Sequence, residues 1–282
     1  MAAGPNAGPT STDYVVHHLT HLNTTGEAQR NVVDFTIINL DSVFWSIAMG
    51  VLAAWFLWRG AKMVTTGVPN RFVGAVESLV EFVHEQARSI VKGDLTYVAP
   101  LALISFVWIV LMNAMDLVPV DLIPRIWEGI YWALGLDPHH AYQRVVATAD
   151  LNVTLGMSLT ILLVSLYTRI KVDGAGGFIH GLIAAPFGDK WYLAPFNLLL
   201  QLIEYAAKTI SLGMRLFGNM FAGELLFILI ALLGATGAIW GFGLHFLTGF
   251  AWAVFHLLII TLQGFIFMML TLVYIGQAHE GH

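Results

Sequence analysis

Arg215 and Glu224 lie nine positions apart in one apolar stretch, SLGMRLFGNMFAGELLFILIALL (Ser211 to Leu233), and His256 and Gln263 lie seven apart in another. If these stretches cross a membrane, the charge on Arg215 costs about 2.5–3.5 kcal/mol on insertion scales. A guanidinium cannot escape that cost by losing its proton. It needs a partner, a wet cavity or a function, and the default reading is a site on an ion pathway. Glu224 and His256 add a carboxylate and an imidazole, a pair able to pass protons near neutral pH. Asp116 and Asp121, with Asn113, mark the end of a third apolar stretch, and Asp150 and Asn152 open a fourth. Carboxylates, imidazole and amides converging from four helices read as a hydrated proton route.

Structural roles compete with each of these readings. Arg215 could serve an interhelical ion pair, Glu224 and His256 a plain hydrogen bond, and Asp116 and Asp121 the capping of a span end. Asp41 reads as an interfacial residue. His17, His18 and His21 resemble a metal cluster, but they sit in a polar tail without Cys or Glu ligands. The pairs His139/His140 and His279/His282 are judged likewise, and no metal site is expected.

These residues must be positioned by membrane helices. The chain has 282 residues, of which 57% are hydrophobic and 11% charged, with a mean hydropathy of +0.74. Soluble domains carry about 25% charged residues, so the chain belongs to the multi-spanning membrane class. A net charge of −5 gives no reason to expect a nucleic-acid partner. The absence of cysteine excludes disulfides and thiolate metal sites. No cleavable leader is visible in the first 30 residues.

One integral membrane domain is expected over 1–282, all-α and polytopic, with a flexible tail at 1–12. Five crossings are expected: about Phe35 to Trp58, Val98 to Val118 and Leu151 to Tyr167, then two overlong segments, about Asn197 to Leu233 and Phe250 to Gln277. Positions 71–92, RFVGAVESLVEFVHEQARSIVK, alternate apolar and charged residues at helical spacing and predict an amphipathic helix on the membrane surface. A loop is expected from Pro119 to about Ala149, and another at the Gly-rich DGAGGF. Lys and Arg concentrate after the first crossing and around Asp173, which places the N-terminus outside and the C-terminus inside.

From Asn197 to Leu233 a helix would run about 55 Å, against a hydrocarbon core of about 30 Å. Either it tilts strongly, making 197–277 a tilted hairpin, or it bends at Gly213, Gly218 or Gly223. At about 100° per residue, Gln201, Glu204, Lys208, Ser211, Arg215, Gly218, Asn219 and Ala222 share one ~100° sector. Such a face, polar then small, suits close approach by another protein surface. Glu224 points away from it and is no simple counter-ion for Arg215.

The stretch SLGMRLFGNMFAGELLFILIALL resembles the signature of the a subunits of F-type ATP synthases, in their bacterial, proteobacterial-like form. The likeness continues through FVWIVLMNAMDLVPVDLIP, RVVATADLNVTLGMSL and FHLLIITLQGFIFMMLTLVYI, in the same order, and covers about Asp41 to Tyr274. It implies a non-catalytic subunit with no cofactor, the stator half of a proton channel in the bacterial inner membrane. Partners would be the rotating c-ring, the b subunits of the peripheral stalk, lipid and protons. Arg215 matches the essential arginine that faces the ring carboxylate. Asn219, Glu224, His256, Gln263, Asp116, Asp121, Arg144, Thr148 and Asn152 match the periplasmic half-channel or its surroundings. Ser211 and Lys208 match the cytoplasmic exit. The family's usual acid fourteen residues before the arginine is Gln201 here, with Glu204 one turn later on the same face. The alternative is a stand-alone secondary transporter using Arg215 as an anion site, but the inverted repeats that would favour it are not visible.

Overall fold

The computed structural model describes residues 11–25, 36–119, 122–135, 144–234 and 239–279. Among them there are eight α-helices and no strand beyond one isolated bridge, Asn23 with Asn39. They are α1 (Ser11–Leu19), α2 (Leu40–Lys62), α3 (Arg71–Ile90), α4 (Val98–Ala114), α5 (Leu122–Ala133), α6 (Leu151–Ala184), α7 (Ala194–Gly234) and α8 (Ile239–His279). Five stretches are long and apolar enough to cross a membrane: α2, Leu95–Leu117 around α4, α6, α7 and α8. Their outer surfaces are apolar, with Ile47, Leu163, Leu202, Leu229 and Leu258 each more than half exposed. That inversion suits lipid as the solvent and satisfies the backbone within each helix. The chain is an all-α, multi-pass membrane protein.

Two compact units divide the chain. One takes Met1–Met49, Leu111–Asp150 and Gly218–Ile260; the other takes Gly50–Val110, Leu151–Phe217 and Thr261–His282. In the first, Met112, Val146, Ala147, Ala149, Met220 and Ile228 are buried. In the second, Val83 and Ala87 of α3 join Val98 and Ala102 of α4 and Met268, Leu272 and Ile275 of α8 in one apolar cluster. The start of α3 is fixed by Asn70, whose side chain accepts from Val73 N at 2.8 Å, a standard N-cap. Its buried stripe is Val73, Val76, Val83 and Ala87, while Glu77, Glu81, Glu85 and Arg88 are exposed. Glycine permits close packing in this unit: a Cβ on Gly264 would lie 2.6 Å from Val110, and one on Gly213 2.8 Å from Leu155.

Four boundaries differ from the sequence expectation. The first crossing is Leu40–Lys62, shifted toward the C-terminus of the expected span. The expected loop from Pro119 to Ala149 contains α5 and a 3₁₀ turn at Ala147–Ala149. Ile123, Trp127, Ile130 and Tyr131 recur at helical spacing there, and Pro124 sits in the first turn, where a missing N–H is tolerated. DGAGGF is no loop: only Gly174 leaves helical geometry (φ 72°, ψ 163°), and the helix resumes to Ala184. The last segment starts at Ile239 rather than near Phe250. By contrast, α7 runs unbroken through Gly213, Gly218 and Gly223 for 41 residues, about 60 Å.

Candidate functional site

Most of the outward candidates meet in the first unit. Glu224, on α7, is buried and gripped by Arg144: Nε lies 3.1 Å from Oε1 and 3.0 Å from Oε2, and Nη2 lies 2.5 Å from Oε2. Arg144 is also buried and lies 5.5 Å above the ring of Phe221. A forked guanidinium–carboxylate pair of this kind is directional as well as strong. Arg144 is itself pinned by its backbone N–H, which donates to Asp41 Oδ2 at 3.1 Å. Asp41 accepts further from Leu22 N (3.0 Å) and Ser42 N (2.7 Å). It is only 2% exposed, so its carboxylate is enclosed by protein and organises this unit.

His256 does not pair with Glu224. It is fully buried, and its Nε2 lies 2.7 Å from Asp116 Oδ2. The approach is close but off-line, and neither atom meets the angular requirement of a hydrogen bond. The imidazole is held edge-on to Phe227 (5.3 Å) and beside Trp252 (5.7 Å). Gly223 makes room for it: a Cβ there would overlap His256 Cε1 and stand 3.0 Å from Asp116 Oδ2. Thr148 donates to Asn113 Oδ1 at 2.7 Å, and Asn39 donates to Asp150 Oδ2 at 2.8 Å. A cavity of about 40 Å³ touches Asp116, Arg144 and Glu224, enough for a few waters at most. Asp121 lies outside the described residues, as do positions 1–10, Arg30, Asp34, His139, His140 and His282.

The second unit holds the inward candidates. Arg215 is exposed, and among the described residues its side chain makes one polar contact, a donation to Ser211 Oγ at 3.4 Å. No carboxylate of the described residues pairs with it. On α7, Ser211, Gly218, Asn219 and Ala222 are exposed too. Glu204 is tied to Lys208 at 2.7 Å; Lys208 also donates to Gln277 at 3.1 Å and lies 5.6 Å from the Tyr274 ring. Arg169 pairs with Asp173 (3.6 Å) and donates to Tyr205 (2.9 Å). Arg169, Glu204, Tyr205, Lys208, Tyr274 and Gln277, with Ser158, Ser165 and Gln201, line an open cavity of about 880 Å³. Gln201, Gln263 and Thr148 are buried, and Asn152 is exposed.

One chain thus carries an exposed intramembrane cation and, separately, a buried carboxylate–imidazole network. The family model described as ATP synthase A chain matches residues 43–276. The chain belongs to that family. A relative from Paracidovorax citrulli (strain AAC00-1), named ATP synthase subunit a, is 52% identical over 295 aligned positions, covering the whole of both chains. Relatives of the same name from Acidovorax sp. (strain JS42) and Verminephrobacter eiseniae (strain EF01-2) are 50% and 46% identical, again over the full length of each.

Sequence reasoning missed two members of this network, His21 and Asp41. His21 was set aside with a polar tail, yet its Nε2 lies 2.9 Å from Arg144 Nη1 and its Nδ1 3.3 Å from Asp41 Oδ1. The usable signal was the pairing of Asp41, an acid at a span start, with a histidine that a short α1 could bring back to it.

Proposed function

We propose that this chain is the stator proton-channel subunit of an F-type ATP synthase, sitting in the bacterial inner membrane with its N-terminus outside and its C-terminus inside. It catalyses no ATP chemistry itself. The observation that carries this reading is Arg215: an exposed, permanently charged side chain on a membrane helix, with no carboxylate partner among the described residues. Its neighbours on that face, Ser211, Gly218 and Ala222, are small enough for another helix to approach closely. The missing counter-charge is a carboxylate on the rotating c-ring, which passes Arg215 in its ionised form.

Protons reach the ring from outside through the network of Asp116, His256, Glu224 and Arg144, with Asn113, Thr148 and Asn219 in the same unit; the family resemblance adds Asp121, Asn152 and Gln263 to this route. They leave inward through the cavity lined by Gln201, Glu204 and Lys208, near Ser211. A protonated ring carboxylate is neutral and can face lipid, whereas an ionised one cannot. Arg215 keeps the two routes apart by attracting the ionised carboxylate and repelling a hopping proton. Each proton falling through 100 mV delivers about 2.3 kcal/mol, which the separation converts to rotation. The unbroken length of α7 supports a strongly tilted pair of helices, α7 and α8, facing the ring. Residues 71–90 then lie along the interface, and b subunits of a peripheral stalk hold the chain against rotation.

The chain has no native cysteine, so a single cysteine at Ala222 reports its own neighbour. Ala222→Cys should cross-link by oxidation to a cysteine scanned along the outer helix of the ring subunit. Failure at every ring position, with the complex assembled, would refute this orientation of the face.

A further inference from the structure

Arg144 and Asp41 share a third partner, His21, and the donors and acceptors around its ring define its state. Arg144 Nη1 lies 2.9 Å from His21 Nε2. A guanidinium has donors only, so Nε2 must be the bare, accepting nitrogen. Nδ1 then carries the ring proton, and Asp41 Oδ1 stands 3.3 Å away to receive it. Ser42 Oγ, at 3.5 Å from Nδ1, is the other polar atom near that edge. The geometry therefore describes a neutral imidazole wedged between a cation and an anion. Its side chain is 19% exposed, against 6% for Arg144 and 11% for Glu224, so it is the most exposed of the three.

We propose that His21 is a positioning residue, a proton-operated latch on the grip of Arg144 on Glu224. While His21 is neutral, Nε2 holds one edge of the guanidinium and keeps the other on Glu224. A proton arriving from outside adds to Nε2. The acceptor is lost, and a second positive charge stands beside Arg144. The attraction to Asp41 keeps the ring in place, so the guanidinium is the group displaced. Its backbone stays anchored, because Arg144 N–H still donates to Asp41 Oδ2 at 3.1 Å. Glu224, relieved of its cation, becomes able to take up a proton. The titratable and charged groups around the latch are Asp41 from α2, Arg144 from the segment before α6, Glu224 from α7 and, on α1, His18, which borders the same small cavity as Arg144 and Glu224; Asp116 and His256 approach each other at 2.7 Å. The latch rests on the reading of Glu224 as part of the outer proton route.

The test uses the whole ATP synthase in proteoliposomes. Total driving force is held constant with a potassium potential while the pH on the N-terminal side is varied. Wild type should show ATP synthesis rising in a step as that side is acidified. H21Q offers Arg144 a carboxamide oxygen that cannot take a charge; it should stay on the slow plateau throughout. H21A has neither acceptor nor charge and should run without the step. A wild-type profile lacking the step, or an H21Q profile that retains it, overturns the proposal. Should H21Q fail to assemble, the wild-type and H21A profiles decide. E224Q separates the underlying reading: full activity in E224Q would remove Glu224 from the route altogether. A slow but fully assembled E224Q beside identical wild-type and H21Q profiles would remove only the latch.

Discussion

Replacing Glu224 by Gln leaves Arg144 buried with its charge and without its counter-charge. Two guanidinium nitrogens, Nε and Nη2, lose an ionised acceptor, and the remaining side-chain contacts are the rings of His21 and Phe221. Breaking one half of a buried pair costs about 3–5 kcal/mol, because the survivor stays uncompensated. At about 1.4 kcal/mol per tenfold, that is a loss of between about a hundredfold and several thousandfold in the equilibrium for the packed state. Arg144→Gln should cost a similar amount by stranding Glu224. The double replacement removes both charges and should recover most of the loss, since a neutral pair can be accommodated where a single charge cannot. The assay is unfolding of the chain in mixed detergent micelles, followed by tryptophan fluorescence and combined as a double-mutant cycle. Singles within about 0.5 kcal/mol of wild type, or a double whose cost is the sum of the two singles, would show that the ion pair does not hold this unit together.

Four further outcomes follow from the same geometry. Gly223→Ala drives a methyl into His256 and toward Asp116; it should cost about 1–3 kcal/mol by overpacking and slow ATP-driven proton pumping. Gly218→Ala, with nothing within 4 Å of its Cβ in the chain, should leave the micelle stability of the chain unchanged. Asp41→Asn weakens acceptors for Leu22, Ser42 and Arg144 N–H groups together; at about 1.5–3 kcal/mol per charged hydrogen bond, limited proteolysis should then cut near residues 11–25, where wild type resists. Glu204→Gln removes a partly exposed ion pair worth at most about 1 kcal/mol, so heat stability should hold; a large drop would show that Glu204 is structural.

The crossings were legible because each is a long apolar run with charges at its ends, and the apolar run of α7 was legible as longer than one upright crossing needs. The exposed stripe was legible too, since one helix's period sorts its faces without knowledge of anything else. What the sequence concealed was pairing between segments far apart. Asp116 with His256, Arg144 with Glu224 and His21 with Asp41 are separated by 140, 80 and 20 positions. No local period carries such contacts. Glu224 and His256 were matched as complementary chemistry, but Arg144, supplied by an irregular segment, competes better for the carboxylate because it is always charged and binds through two nitrogens. The helix at 122–133 was hidden by Pro119 and Pro124, which punctuate a loop as readily as they open a helix. The extension of α6 past DGAGGF was hidden because glycine marks a break without saying how long it lasts.

The central claim is that Arg215 has its partner outside this chain and that its charge keeps two proton routes apart. Arg215→Ala in reconstituted, fully assembled ATP synthase tests it most directly, by following ATP synthesis and passive proton flux in the same vesicles. The account predicts that proton-driven synthesis is abolished while passive proton flux rises. Synthesis at the wild-type rate, with vesicles as proton-tight as before, would contradict it.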